Sequence, residues 1–106
     1  MRHKIAGYRT IQIGDLSLEV PFEGTWDHED AYFNHAEGYG EDAWSEVSVS
    51  CSLKDVEVRW LILDELCIPR EIRGLIRVDS RAALDLIDSK LSASEWHNVE
   101  DYVVED

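Results

Sequence analysis

The side chains best suited to chemistry lie close together between residues 27 and 37, where carboxylates and imidazoles alternate. They are Asp27, His28, Glu29, Asp30, His35 and Glu37. Oxygen and nitrogen donors of this kind bind divalent cations, but their spacing fits neither a closed zinc site nor the Asp-x-Asp-x-Asp-Gly loop of an EF-hand. The sequence therefore predicts no metal site and no cofactor.

No group of residues matches a catalytic fingerprint. Serine, histidine and aspartate all occur, but without the Gly-x-Ser-x-Gly turn that exposes a serine nucleophile. Cys51 and Cys67 lack the neighbouring histidine or Cys-x-x-Cys spacing that activates a thiol. Acids follow the glycines at 38 and 40 and would repel a phosphate. We therefore expect a protein that is not an enzyme; an enzyme would need a pocket whose carboxyl pKa values are raised.

The composition is that of one acidic domain, residues 1–106. The chain has 23 Asp and Glu against 10 Lys and Arg, a formal net charge of -13. Contacts to phosphates need Lys and Arg in number, so the charge argues against direct binding to nucleic acid or to an anionic membrane. No stretch reaches the roughly 18 apolar residues that span a bilayer, and the two cysteines are expected to be free thiols. These features predict a cytoplasmic protein.

Two stretches of alternating polarity predict β-hairpins. The first turns at Gly14-Asp15, with Ile13 opposite Leu16 and Ile11 opposite Leu18. Because Pro21 cannot donate to a ladder, we expect an edge or a strand exit there. The second hairpin joins residues 46–53 to residues 56–62 through a Lys54-Asp55 turn. Its predicted pairs are Leu53 with Val56, Cys51 with Val58, Val49 with Trp60 and Val47 with Ile62.

Helical periods dominate the C-terminal half. Pro69 is expected to open a short helix, and Ser80 to cap a second one with an apolar stripe at Ala83, Leu84, Ile87 and Leu91. Residues 94–106 fit a third helix, although residues 102–104 fit an extended chain equally well. The predicted fold class is α+β: an antiparallel sheet of about four strands, formed by two hairpins, with two or three helices in the C-terminal half.

Residues 23–44 follow neither period and are interpreted as a long loop in which acids and aromatic rings alternate. Such loops often bind a partner, although these rings could instead cover the sheet edge while the acids are solvated. The candidate contact residues are Trp26, Asp27, Glu29, Asp30, Tyr32, Glu37, Glu41 and Asp42.

The charges are unevenly distributed along the chain. Between residues 10 and 53 there are ten Asp and Glu and no Lys or Arg. Repulsion among these acids destabilises the folded protein, and binding to a basic partner would explain why they are present. The aromatic rings between them could be buried against that partner and supply binding energy. Solvated acidic surface is the plainer interpretation. Arg70, Arg73, Arg77 and Arg81 would form a ridge on a continuous helix, pairing with the acidic tail or with a second copy, which leaves a homodimer open.

The order of these parts resembles small acidic accessory proteins of bacteriophages and mobile elements. The stretches that carry the resemblance are Leu18-Glu19-Val20-Pro21-Phe22, Tyr39-Gly40-Glu41-Asp42-Ala43-Trp44, the hairpin 47–62 and residues 84–91. Together they span most of the chain by pattern rather than by a specific motif. The resemblance implies a protein that acts by binding, since anti-CRISPR and anti-restriction proteins of this size are often acidic and some imitate DNA.

The expected function is inhibition of a nucleic-acid-handling protein by occupying its basic surface, with the carboxylates in place of phosphates. An immunity protein or antitoxin that neutralises a basic nuclease toxin would use the same surface. A phage structural or assembly protein would instead expose apolar stripes for self-association. The genomic neighbourhood would separate the first two, and a stable high oligomer would indicate the third.

Overall fold

A long antiparallel hairpin forms the centre of the protein in the computed structural model. The structure describes residues 1–29, 32–34, 39–41 and 44–104, with the backbone alone for 32–34 and 39–41. Strand β1 (Arg2–Ile13) pairs with β2 (Leu16–Glu29) along its whole length. Gly14 takes a φ of 58°, the left-handed value that tight hairpin turns require and glycine allows. The turn and the register predicted for this hairpin are confirmed.

The hairpin extends further than its apolar alternation predicts, because β2 continues to Glu29. Strands β3 (Tyr32–Asn34) and β4 (Tyr39–Glu41) pair with each other, and β5 (Trp44–Cys51) pairs with β2 to give the strand order β1-β2-β5. Residues 23–29, 32–34, 39–41 and 44 are therefore strand, and their assignment to a loop was wrong. Period-two alternation continues through residues 23–29, but the inward positions are occupied by Gly24, Trp26 and His28 rather than by aliphatic residues.

Pro21 marks the place where the pairing of β2 with β5 stops. The Pro21 carbonyl accepts a hydrogen bond from the Ser52 N–H at 3.0 Å. The N and C=O of one strand residue face the same neighbouring strand, so the donor that proline lacks also faces β5. The expected strand exit therefore holds on the β5 side, while β2 remains paired with β1 through this position.

The predicted second hairpin is wrong, because residues 55–65 form helix α1 (Asp55–Glu65). The main sheet consequently has three strands rather than about four. Val58 is fully buried, whereas Val56 and Trp60, which the hairpin would turn inward beside it, are 59% and 43% exposed. The pattern Val-x-Val-x-Trp alternates, but Val58 also begins an i, i+3, i+4 series that suits a helix. The Lys54 N–H donates to Glu57 Oε1 at 3.0 Å and fixes the first turn.

Helix α1 ends in a Schellman motif built on an unusual residue. The Cys67 N–H donates to the Asp64 carbonyl at 3.0 Å, and the Ile68 N–H donates to the Leu63 carbonyl at 3.1 Å. Cys67 itself has a φ of 57°, in the left-handed region where glycine is the usual residue. The backbone reversal brings the following segment back alongside α1.

The remaining helices are shorter or displaced relative to the prediction. A 3₁₀ helix covers Arg70–Leu75, and α2 covers Ser80–Ala93. The α2 cap is Asp79 rather than Ser80, since Asp79 Oδ1 accepts from the Ala82 N–H at 3.0 Å. In the tail only Val99–Tyr102 is helical, as a 3₁₀ turn, after which the Val104 N–H pairs with the Lys4 carbonyl at 2.9 Å.

One face of the three-stranded sheet packs against α2 and the tail, and this is where the core lies. The buried apolar residues of this core cluster are Ile5, Ile11, Leu18, Val20, Phe22, Val58, Ile87, Leu91 and Val99. Strand register places the five sheet residues of this group on a single face. No helix among the described residues is long and apolar enough to cross a membrane. The opposite side of the sheet, which we call the open face, carries the alternate residues.

Candidate protein-binding face

The open face carries a concentration of carboxylates. Alternation along β2 and β5 assigns to it five of the ten acids in the cation-free segment, because the intervening positions of these strands point to the core. These five are Glu19, Glu23, Asp27, Glu29 and Glu46. The β2 acids form a row along the sheet, in which Glu19, Glu23 and Asp27 are about 13 Å apart and Asp27 and Glu29 about 7 Å apart. The uneven charge of the sequence thus becomes an uneven charge in space.

Two of these acids lie directly opposite each other on neighbouring strands. Asp27 of β2 is in register with Glu46 of β5, an arrangement that is destabilising for like charges. Cations on the other side compensate Asp27: Arg2 Nη2 is 3.3 Å from Asp27 Oδ2, and the amino group of Met1 is 3.6 Å from Oδ1. Within the part of the chain that the structure describes, Glu23, Glu29 and Glu46 form no ion pair.

An exposed tryptophan lies among these carboxylates. Trp44 is in register with Glu29 and shares its face, and it is 46% exposed. Glu46 follows two residues later on the same side of β5. Trp44 was not among the predicted contact residues. Extending the alternation of Val47, Val49 and Cys51 backwards through Ser45 would have placed this ring on the outer face.

Trp26, in contrast, faces the same side as the core. Its ring stacks on His28 with centroids 4.1 Å apart and lies 5.3 Å from the ring of His3. The Trp26 Nε1–H donates to Ser45 Oγ at 2.7 Å. Nε2 of His3 and Nε2 of His28 are 3.2 Å apart, so one must donate and the other accept. Trp26 therefore extends the core towards the end of the sheet instead of facing the carboxylates.

The eight predicted contact residues are divided by the structure. Asp27 and Glu29 lie together on the open face, and Trp26 lies on the opposite side of the same strand. Tyr32 and Glu41 are paired with each other in the β3–β4 register. Asp30, Glu37 and Asp42 lie outside the described residues. The described geometry supports an interface made of Glu23, Asp27, Glu29, Trp44 and Glu46.

Small side chains leave a shallow depression of about 430 Å³ on the open face. Ala6, Thr25 and Ser50 line it, with Lys4 and Glu23 also contributing. The Glu23 carboxylate and the Ser50 hydroxyl could accept hydrogen bonds from a cationic side chain that entered the depression. The arrangement suits recognition of a basic group.

The described residues offer little for catalysis or metal binding. Burial raises the pKa of the Cys51 thiol, and the Asp88 and Glu57 carboxylates act in the same direction against an opposing hydrogen bond from the Leu53 N–H. A thiol with a raised pKa stays protonated at neutral pH and is a poor nucleophile. Both cysteines are free. Among the described residues, no three His, Cys, Asp or Glu side chains converge on a possible metal position.

The arginine-rich segment does not form the continuous ridge that its spacing suggests. The chain is 3₁₀-helical over Arg70–Leu75, not helical over 76–79, and α-helical from Ser80. Arg73 is buried and donates to Asp64 Oδ1 at 2.5 Å and to the Ile68 carbonyl at 2.7 Å. Arg70 and Arg77 remain exposed. Internal pairing thus applies to Arg73, and its partner is in α1.

The fold is a three-stranded antiparallel sheet with helices in the C-terminal half, which belongs to the α+β class. No protein-family description, no curated protein and no solved structure matches this chain. The functional argument therefore depends on the open face itself.

Proposed function

We propose that this chain is a non-catalytic acidic binding protein that inhibits a nucleic-acid-handling protein or complex by covering its basic surface with the open face. The observation that carries the proposal is the presence of five carboxylates on one side of the sheet, drawn from a segment without Lys or Arg. Such a row offers a succession of negative charges along one line, as a nucleic acid backbone does. The functional class that we propose is that of anti-CRISPR and anti-restriction inhibitors.

The opposed pair Asp27 and Glu46 supports a binding role for the acids. Two unit charges about 5 Å apart in water repel by about 0.8 kcal/mol, which is appreciable in a small domain. A lysine or arginine of a partner placed between the two carboxylates would remove this repulsion. Binding would therefore relieve a strain that the free protein carries.

Trp44 supplies the part of the interface that charge alone does not. Steering by charge mainly raises the association rate, whereas slow dissociation depends on a few desolvated anchor residues, with Trp, Tyr and Arg most frequent. Trp44 is exposed, and Glu29 and Glu46 lie beside it. A basic surface with an exposed apolar or aromatic side chain is the partner chemistry that this combination favours.

Capture from a bacterial lysate tests the proposal. The immobilised protein is expected to retain a nucleic-acid-binding protein at about 50 mM salt and to release it at about 500 mM. The Debye length shortens as the salt concentration rises, so attraction between exposed charges is weakened at the higher concentration. Proteins that elute are identified by mass spectrometry. Capture that does not respond to salt, or capture of a partner with a neutral surface, would contradict the proposal.

A matched pair of variants assigns the effect to the open face. The triple change Glu23→Lys, Glu29→Lys and Glu46→Lys should abolish capture. The control Asp85→Lys, Glu100→Lys and Asp101→Lys alters exposed acids of α2 and the tail by the same total charge, and should retain it. Equal losses in both would show that only net charge matters. Once identified, the partner should release a labelled duplex oligonucleotide when wild-type protein is added.

A further inference from the structure

An apolar groove with acidic sides lies where α1 borders the open face. Tyr8, Val56 and Trp60 line it and are 64%, 59% and 43% exposed, and the groove has a volume of about 440 Å³. Its acids include Glu19 from β2 and Glu57 from α1. We call this the acidic groove. Neither carboxylate forms an ion pair among the described residues, although Glu57 accepts the Lys54 N–H.

A second apolar patch, of opposite charge, is formed by residues 66–77 after α1. It exposes Leu66, Ile72 and Leu75, and Leu75 is 82% exposed, the highest value among the large hydrophobic residues described. Arg70 and Arg77 belong to the same segment and are exposed, as is Glu71, and with Arg73 the segment has a net positive charge. We call this the basic loop. Exposed apolar side chains grouped in this way are typical of interaction sites.

Arg73 holds the basic loop against the helix that borders the acidic groove. Its guanidinium donates to Asp64 Oδ1 and lies 5.2 Å from the ring centroid of Trp60. Arg59 of α1 adds hydrogen bonds to the carbonyls of Arg73 and Ile76, the latter at 3.2 Å. The two patches are therefore fixed neighbours rather than separate mobile surfaces. Arg73 also compensates Asp64, so Glu19 and Glu57 supply the uncompensated charge of the groove.

We propose that the acidic groove and the basic loop form one self-complementary surface, and that its occupant is a second copy of this chain. In a dimer with two-fold symmetry each contact occurs twice. The acidic groove of one copy then contacts the basic loop of the other copy, and its own basic loop contacts the other copy's groove. Arg70 and Arg77 then face Glu19 and Glu57, and Leu75 enters the groove between Tyr8 and Trp60. Formation of the dimer buries both apolar patches at once. A partner that bound only one of the patches would leave the other exposed.

The size of such an interface is compatible with the molecule. A standard interface removes about 800 Å² per partner, which is about a tenth of the 7704 Å² accessible surface of this chain. Of the five open-face carboxylates only Glu19 belongs to this surface; Glu23, Asp27, Glu29 and Glu46, together with Trp44, do not. The dimer therefore does not depend on the function proposed for the open face.

Sedimentation velocity of the full chain, from about 1 μM to about 1 mM, tests the dimer over the range of weak to moderate affinities. We expect a reversible monomer–dimer equilibrium whose dissociation constant rises with salt. Leu75→Ser and Val56→Ser should each weaken it by about tenfold or more, since apolar anchors dominate such interfaces. The control Val104→Ser changes an exposed valine beside Lys4 and should leave the dissociation constant unchanged.

Charge reversal tests whether the acidic groove and the basic loop contact each other in the dimer. Glu19→Lys with Glu57→Lys, and Arg70→Glu with Arg77→Glu, should each prevent self-association because each makes both symmetric contacts repulsive. An equimolar mixture of the two proteins should dimerise again, because the heterodimer has one native and one reversed contact. Circular dichroism confirms that each variant is folded. Wild-type protein that stays monomeric at the highest concentration, or a mixture that stays monomeric while both variants are folded, overturns the proposal.

Discussion

Neutralising Glu46 should stabilise the free protein, even though no contact is added. Glu46 lies opposite Asp27, whose other side is occupied by Arg2 and the amino group of Met1. Glu46→Gln removes one member of a like-charge pair and keeps nearly the same side-chain shape. If the acids of the open face are retained for binding and not for folding, this change should raise stability and weaken partner capture together.

The expected gain follows from the geometry of the pair. Directly opposed side chains have Cβ atoms about 5 Å apart, and like charges there cost about 0.2–1 kcal/mol. Arg2 attracts both carboxylates and offsets part of this cost, so we expect about 0.5 kcal/mol. In a domain of this size that corresponds to a rise of about 2–4 °C in Tm. At about 1 M salt the Debye length falls to about 3 Å and the gain should largely disappear.

Thermal unfolding followed by circular dichroism at low and high salt measures the effect. Glu23→Gln is the matched control, because Glu23 lies on the same face between Ala6 and Ser50 and is not opposite an acid. A Glu46→Gln protein that is less stable than wild type at low salt, or equally stabilised at both salt concentrations, would refute the electrostatic reasoning. A Glu23→Gln gain as large as that of Glu46→Gln would show that the opposed pair is not special.

Three further changes test the described contacts, each by chemical denaturation. Cys67→Gly should stabilise the protein by about 1 kcal/mol, because a side chain in the left-handed region is strained and glycine is not; a loss would contradict that assignment. Asp64→Asn should destabilise it by about 3 kcal/mol, since the buried Arg73 guanidinium loses its countercharge, and Arg73→Met should cost less because the Asp64 carboxylate that it leaves unpaired is largely exposed. Gly24→Ala should be clearly destabilising, because an added Cβ would lie 1.9 Å from the carbonyl oxygen of Ser48; wild-type stability would show that β2 and β5 separate easily.

The sequence predicts the first hairpin well because two independent signals agree there. Gly14-Asp15 fits a two-residue turn, and the apolar alternation on both sides requires the same register. The second prediction failed where the signals conflict. Residues 56–62 alternate, but Lys54 and Glu57 form the first turn of a helix, and packing of Val58 decides for the helix. A short apolar run does not distinguish the two periods, and the acids of the first helical turn, Asp55 and Glu57, were the better guide.

The sequence shows that the segment forming the candidate face is acidic, but it does not show which aromatic side chains lie on that face. Five of the ten acids in the segment 10–53, which contains no Lys or Arg, lie on the open face. Successive side chains of a strand point to opposite faces of the sheet, so whether a ring lies on the open face depends on whether its position is odd or even in its strand. The sequence does not reveal which positions face outward until the strand pairing is known. Trp26 is even-numbered on β2 and faces inward, whereas Trp44 is even-numbered on β5 and faces outward, because Glu29 is opposite Trp44. A one-residue difference in register would exchange these roles.

The strand order distributes charge unevenly across the open face, from basic residues at the β1 edge to acidic residues at the β5 edge. Arg2 and Lys4 lie on β1 at one edge of the sheet, and Trp44 and Glu46 lie on β5 at the other, with the row of β2 acids between them. A basic partner is repelled by the β1 edge and attracted towards β5, so charge alone orients its approach before any contact forms. The region of strongest attraction then also holds the exposed ring of Trp44 and the carboxylate of Glu46, which forms no ion pair among the described residues. Affinity should accordingly be concentrated at the β5 side of the face, where Glu46 lies.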